Sequence, residues 1–164
     1  IWAKQRTQLL RDYIDRGGFI FAEACCEGPG AEGFDRAFRG VVQSMFADKP
    51  EHQLKLLDPM HPIYRAEIQV PPVLDIWGVD YGCRTCIAYV PPRRGQLLPG
   101  NLGCWWELDI TRQRTMTKNA ENMMRSAYAI GLNVLAYATN RELKTKDENL
   151  NLRPENTKPD TSNR

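Results

Sequence analysis

Two thiols stand side by side at Cys25-Cys26, between an acidic pair, Glu23 and Glu27. A cysteine nucleophile needs a base within hydrogen-bond reach and a donor for the developing oxyanion. The chain has only two histidines, and His52 lies in a charged segment, which leaves His61 as the base for Cys26 and Glu23 or Glu107 to orient it. The competing reading makes Cys25 and Cys26 small residues filling a tight strand end, because free cysteine is commonly buried.

A second chemistry is metal binding. Cys25, Cys26, Cys83, Cys86, Cys104 and His61 are the right types for zinc, and the metal-ligand alternative centres on Cys83, Cys86, Cys104 and His61. Cys83-x-x-Cys86 has the spacing of half a zinc knuckle, yet it enters an apolar strand, where positions i and i+3 face opposite sides. No second C-x-x-C answers it. The same pair forms a redox bridge only if a turn at Arg84-Thr85 brings the thiols together. A third constellation is charged. Glu23, Glu27, Asp35, Arg36 and Arg84 fall near one predicted strand end, and with Cys25 and Glu107 they are the candidate binding residues. Glu23 interrupts an apolar run, so its carboxylate needs a donor, for which Arg84 and His61 are the candidates.

These groups have to be held by a framework, and its periodicity is readable. Residues 5–16 are helical, with Leu9, Leu10, Tyr13 and Ile14 on one stripe, and Gly17 sits where a helix end favours positive φ. Phe19 to Ala24 is a short apolar run of the kind buried on both faces of a parallel sheet. A loop through Gly28, Pro29, Gly30 and Gly33 leads to a second helix over 34–46, with Phe34, Phe38, Val41, Val42 and Met45 inward. A strand is expected near 53–57, and further strands over 73–90 and 102–110. Thr117 caps the longest helix, which reaches about residue 143 with Ala120, Met124, Ala127, Gly131, Val134 and Ala138 on its packing face. Helix, glycine turn, buried strand, helix is α/β grammar.

The bulk properties narrow the function classes. The 164 residues form one domain over 1–145 and a polar tail over 146–164 with little to bury. A net charge of +2 gives no electrostatic case for nucleic acid or an anionic membrane. No apolar run approaches the length of a membrane span, and no signal peptide is visible. The chain opens on Ile1 within a helix, which predicts further sequence upstream. Five cysteines without framework spacing argue against a disulfide-stapled module. There is neither a phosphate-cradling loop nor a nicotinamide motif, so no cofactor is implied.

Around the thiols, Ala24-Cys25-Cys26-Glu27-Gly28 resembles the small-x-Cys-x-Gly elbow of the class I glutamine amidotransferase-like superfamily, centred on Cys26. Small residues permit the strained turn, and the helix after it would lower the thiol pKa. Here the first glycine is alanine, and the Gly28-Pro29-Gly30 loop is expected to delay the helix. The superfamily's His-x-Glu is absent. His61-Pro62-Ile63 looks like a loop of the trehalose-utilisation (ThuA-like) branch.

A closer resemblance runs over residues 5–145. The segments from Leu10 to Phe19, Ala24-Cys25-Cys26, Phe34 to Arg39, His61-Pro62-Ile63-Tyr64, Gly82-Cys83-Arg84-Thr85, Cys104-Trp105-Trp106-Glu107 and Asn133 to Asn140 are similar to the bacterial family called domain of unknown function 4159. That resemblance implies a three-layer, mostly parallel, flavodoxin-like or amidotransferase-like α/β sandwich, lacking N-terminal strands here. It also implies one domain of a larger envelope or exported bacterial protein, whose partners include other domains of the same polypeptide. It implies no activity. The expected function is a non-catalytic ligand- or protein-binding module. The alternatives are a thiol-dependent hydrolase or amidotransferase-like enzyme using Cys26 with His61, and a zinc-stabilised structural domain.

Overall fold

Six consecutive buried residues, Thr85 to Val90, make one strand the centre of the structure. The structure is a computed structural model and describes residues 2–24, 28–70, 74–92, 102, 103, 105, 106 and 117–139. Its elements are α1 (Trp2–Asp15), β1 (Ile20–Glu23), α2 (Pro29–Met45), β2 (Lys55–Leu56), a 3-10 helix (Pro62–Tyr64), β3 (Trp77–Tyr81), β4 (Arg84–Val90) and α3 (Lys118–Thr139). The sheet order is β1-β4-β3-β2.

The fold is mixed α/β, but the sheet is not mostly parallel as expected. β1 pairs with β4 in parallel, whereas β3 pairs antiparallel with both β4 and β2. The reason is local. Gly82, with φ 65°, turns the chain directly from β3 into β4, and a hairpin can only make antiparallel neighbours.

Apolar clusters cover both sides of this sheet. Val79, Cys86 and Ile87 pack with Ile14 of α1 and with Val42, Met45 and Phe46 at the end of α2. Ala88 and Val90 pack with Ile63, Tyr64, Leu102, Trp105 and the α3 residues Met124, Ala127, Ile130 and Val134. The register slips between Val79 and Asp80, leaving Cys86 with no opposite residue. Such a slip lets two successive side chains share a face. Cys86 and Ile87 accordingly sit in one cluster, and Ala88 begins the other.

Several helix expectations are corrected by these contacts. On α1 only Ile14 of the predicted stripe is buried, while Leu9, Leu10 and Tyr13 are exposed. Its covered polar residue is Arg11, which donates to the Met45 carbonyl at 2.8 Å and the Tyr81 hydroxyl at 3.2 Å and stacks over Phe46. On α2, Phe34 is exposed and stacks on Phe38 rather than facing inward. No glycine loop delays this helix. It begins at Pro29, because proline's fixed φ suits a first helical position, with Gly28 before it at φ 104°. Residues 102, 103, 105 and 106 are helical where a strand was expected. The α3 reading holds: Thr117 Oγ1 accepts from the Ala120 amide, and Met124, Ala127 and Val134 are buried. The expected tail lies outside the described residues. Among those described, no helix is long and apolar enough to cross a membrane.

Gly131 lets α3 approach the tryptophan pair. A Cβ there would lie 2.7 Å from Trp106 Cζ2, part of a rigid ring. Alanine would otherwise favour a helix interior by about 1 kcal/mol. We expect Gly131→Ala to destabilise the domain by about 1–3 kcal/mol in urea melts, as overpacking does. A stabilised variant would show that the contact yields freely.

Candidate functional site

The carboxyl end of β4 opens into a cleft of about 430 Å³, and α2 supplies one wall of it. Among the described residues its lining is Glu32, Asp35, Arg36 and Arg39 from α2, Asp75 and Trp77 from the approach to β3 and its first residue, and Pro91 and Pro92 after β4. Helical spacing explains the wall, since positions 32, 35, 36 and 39 recur on one face.

A bonded cluster stiffens this wall. The fully buried Tyr89 donates its phenol proton to Asp35 Oδ1 at 2.7 Å. Arg39 Nε donates to the same oxygen at 2.8 Å. The Arg39 guanidinium lies 4.9 Å over the Trp77 ring, and Trp77 is the cross-strand partner of Tyr89. Burial first, and then the Asp35 hydrogen bond and charge, push the Tyr89 phenol well above its usual range, so it remains a donor at neutral pH. One carboxylate thus joins α2 to β4 and aims an arginine. Beside it, Arg36 and Asp75 are exposed and make no hydrogen bond or ion pair among the described residues.

The charged residues singled out in the sequence divide. Asp35 and Arg36 do line the cleft at the strand end. Glu23 does not take Arg84 or His61 as its donor. Its two carboxylate oxygens accept from the backbone amides of Leu102 at 3.1 Å and Gly103 at 2.7 Å. Arg84 sits at the other end of β4 and donates to the Gly18 carbonyl at 2.8 Å. Cys25, Cys26, Glu27, Cys104 and Glu107 lie outside the described residues.

His61 is placed by two bonds. Its Nδ1 accepts from the Ile63 amide at 3.1 Å, capping the 3-10 helix, which assigns the proton to Nε2 for donation to Thr85 Oγ1 at 3.0 Å. Thr85 in turn donates to Asp80 at 2.6 Å. Thr85 stands five strand positions before Val90, which pairs with Glu23, or about 16 Å at the usual rise. His61 therefore belongs to the amino end of β4. His52 is half-buried; its Nδ1 donates to the Asp80 carbonyl at 2.6 Å, and its ring packs against Phe46 and Tyr81.

Cys83 is exposed in the β3–β4 turn and Cys86 is buried within β4. Both thiols are free, because the turn falls at Gly82-Cys83 and not at Arg84-Thr85. Cys86 donates to the Val79 carbonyl, and burial pushes its thiol up to about 12. Among the described residues no three His, Cys, Asp or Glu side chains converge as a metal site.

With this geometry in place, the chain's kinship can be stated. Residues 2–139 match the family described as Domain of unknown function (DUF4159). The chain belongs to that family. No curated protein and no solved structure matches it. Several segments that carry the family resemblance are structural in this member of DUF4159. Arg11 ties α1 to α2 and β3, and His61 caps a turn. Buried Asn133 accepts from the Glu67 and Ile68 amides and donates to the Ile68 carbonyl. In the segment from Phe34 to Arg39, by contrast, Asp35, Arg36 and Arg39 line the cleft.

Sequence reasoning missed Arg39, Trp77, Tyr89, Asp75 and Glu32. The usable signal was Asp35-x-x-x-Arg39 on the helix after the first strand, since that spacing stacks the two side chains. Nothing in the linear chain joined it to Trp77 and Tyr89.

Glu23 supplies a pH test. Burial raises its carboxyl above the usual glutamate range, although the Gly103 and Leu102 amides pull it back. Such a group binds its proton more tightly when folded, so its contribution is fullest below the unfolded pKa and is lost as pH rises through the folded one. We expect Glu23→Gln, which turns an NH2 group toward one amide, to cost about 1–3 kcal/mol, with a larger penalty near pH 4 than near pH 7. Urea melts at both pH values check this; a penalty that grows with pH would contradict it.

Proposed function

We propose that this domain is a non-catalytic binding module whose site is the cleft at the carboxyl end of β4. The observation that carries the reading is the Tyr89–Asp35–Arg39–Trp77 cluster, which fixes one arginine while Arg36 and Asp75 in the lining have no hydrogen bond or ion pair among the described residues. A volume of about 430 Å³ suits a small polar ligand. Neither of the chain's two histidines lines the cleft; both bond elsewhere, near the amino end of β4. That placement supports binding over acid–base chemistry at this site.

The amidotransferase-like, ThuA-like kinship belongs to the same proposal. Its support is the parallel β1–β4 pair and the passage from β1 to a helix that starts at Pro29. A bacterial envelope or exported setting, within a longer polypeptide, rests on the resemblance alone. The alternative, a thiol enzyme using Cys26 with His61, requires a base now bonded at the amino end of β4 to serve a thiol that follows the carboxyl end of β1 in sequence.

A thermal-shift screen of small polar compounds against the wild type and Arg36→Glu tests the binding reading. A ligand at a hundredfold excess over its Kd adds about 2.7 kcal/mol of stability. We expect compounds that raise the Tm of the wild type and lose most of that effect in the variant, whose substituted side chain is exposed and has no bond among the described residues. Equal effects on both proteins, or no stabilising compound at all, would refute the cleft as the site.

A further inference from the structure

The chemistry of the cleft wall narrows what it can hold. Arg39 has its Nε engaged by Asp35 and its plane set against Trp77, while its two terminal nitrogens have no acceptor among the described residues. A guanidinium held in this way presents a fixed pair of donors, the arrangement that matches two oxygens of one anionic group. Arg36, three residues earlier on the same wall, brings a second set of donors with no acceptor among the described residues. The strand end adds none, because Pro91 and Pro92 lack a backbone N–H. Among the described residues, recognition of an anion therefore falls to the two arginines.

The balance of charge limits that anion. Among the described residues the lining carries three carboxylates, Glu32, Asp35 and Asp75, against two guanidiniums, an excess of one negative charge. Asp35 is already answered by Arg39 and Tyr89. Asp75 has no hydrogen-bond donor among the described residues, and as a carboxylate it can only accept. A dianion such as phosphate meets this excess charge unfavourably. A single carboxylate with a hydrogen-bond donor elsewhere on the same molecule satisfies both the arginines and Asp75.

We propose that the cleft binds a monocarboxylate carrying an ammonium or hydroxyl group, with Arg36 and Arg39 taking the carboxylate and Asp75 taking the donor. This rests on the cleft being the binding site, and the experiment separates the two claims. The intact chain, ¹⁵N-labelled, is titrated with 4-aminobutyrate, 4-hydroxybutyrate, butyrate, butylamine, inorganic phosphate and methyl glucoside, following the Trp77 indole N–H signal. At least one of the first two compounds is expected to bind ten-fold or more tighter than butyrate, butylamine and phosphate, and which one it is separates ammonium from hydroxyl. Arg36→Ala should weaken that ligand at least ten-fold. Asp75→Asn should bring it within about three-fold of butyrate, and both altered positions are exposed and unbonded among the described residues. Tightest binding by phosphate, butylamine or methyl glucoside, with the same signal moving, overturns the ligand class and leaves the cleft standing. If no compound moves the Trp77 signal, both claims fall.

Discussion

The structure depends on one strand that must be dry on both faces and polar near both ends. β4 has six consecutive buried residues, and its neighbours supply what that burial demands. At its amino end Thr85 is enclosed, so its hydroxyl is answered by Asp80 and His61 and its amide by the Tyr137 hydroxyl. Near its carboxyl end the phenol of Tyr89 is enclosed, so it is answered by Asp35. Unanswered polar groups at these positions would each cost about 1–3 kcal/mol, enough to set which side chains surround the strand. The cleft follows from the second of these demands, because the carboxylate that satisfies Tyr89 also orients Arg39.

The same logic accounts for polar residues that stand in the linear sequence as site candidates or as parts of the segments carrying the family resemblance. Arg11, Asn133 and Glu23 are each enclosed enough to need partners and find them in backbone groups elsewhere in the chain, while His61 bonds the Ile63 amide of the turn it caps and the Thr85 hydroxyl. Glu23 holds the helical residues Leu102 and Gly103 beside the end of β1, and a Cβ on Gly103 would come within 2.8 Å of its oxygen. Burial of these groups serves the joining of elements. At the cleft, charged groups are left over after such needs are met, and that surplus distinguishes a binding surface from a structural network.

How much of this was legible depended on range. Gly17, Thr117 and the packing face of α3 are local signals, and they were read correctly because caps and periodicity act within a few residues. The run from Cys104 to Leu108 favours strands by composition, yet Trp105 and Trp106 are helical, since core packing of Trp105 and the Glu23 contact outweigh intrinsic preference. The sheet's direction was misread because an apolar run cannot tell a parallel neighbour from a hairpin one. Asp35 and Arg36 were visible as a charged pair, whereas Tyr89 is 54 residues away from Asp35 and only folding joins them.

The central claim is that the Tyr89 phenol, through Asp35, holds Arg39 in place over Trp77. The most direct test is the Arg39 side-chain Nε–H signal in ¹⁵N NMR, compared between the wild type and Tyr89→Phe, which removes one hydroxyl and keeps the ring. The account predicts a sharp, slowly exchanging signal in the wild type that broadens or exchanges faster in the variant, with the backbone spectrum otherwise preserved. An Arg39 signal unchanged by loss of the phenol would contradict it.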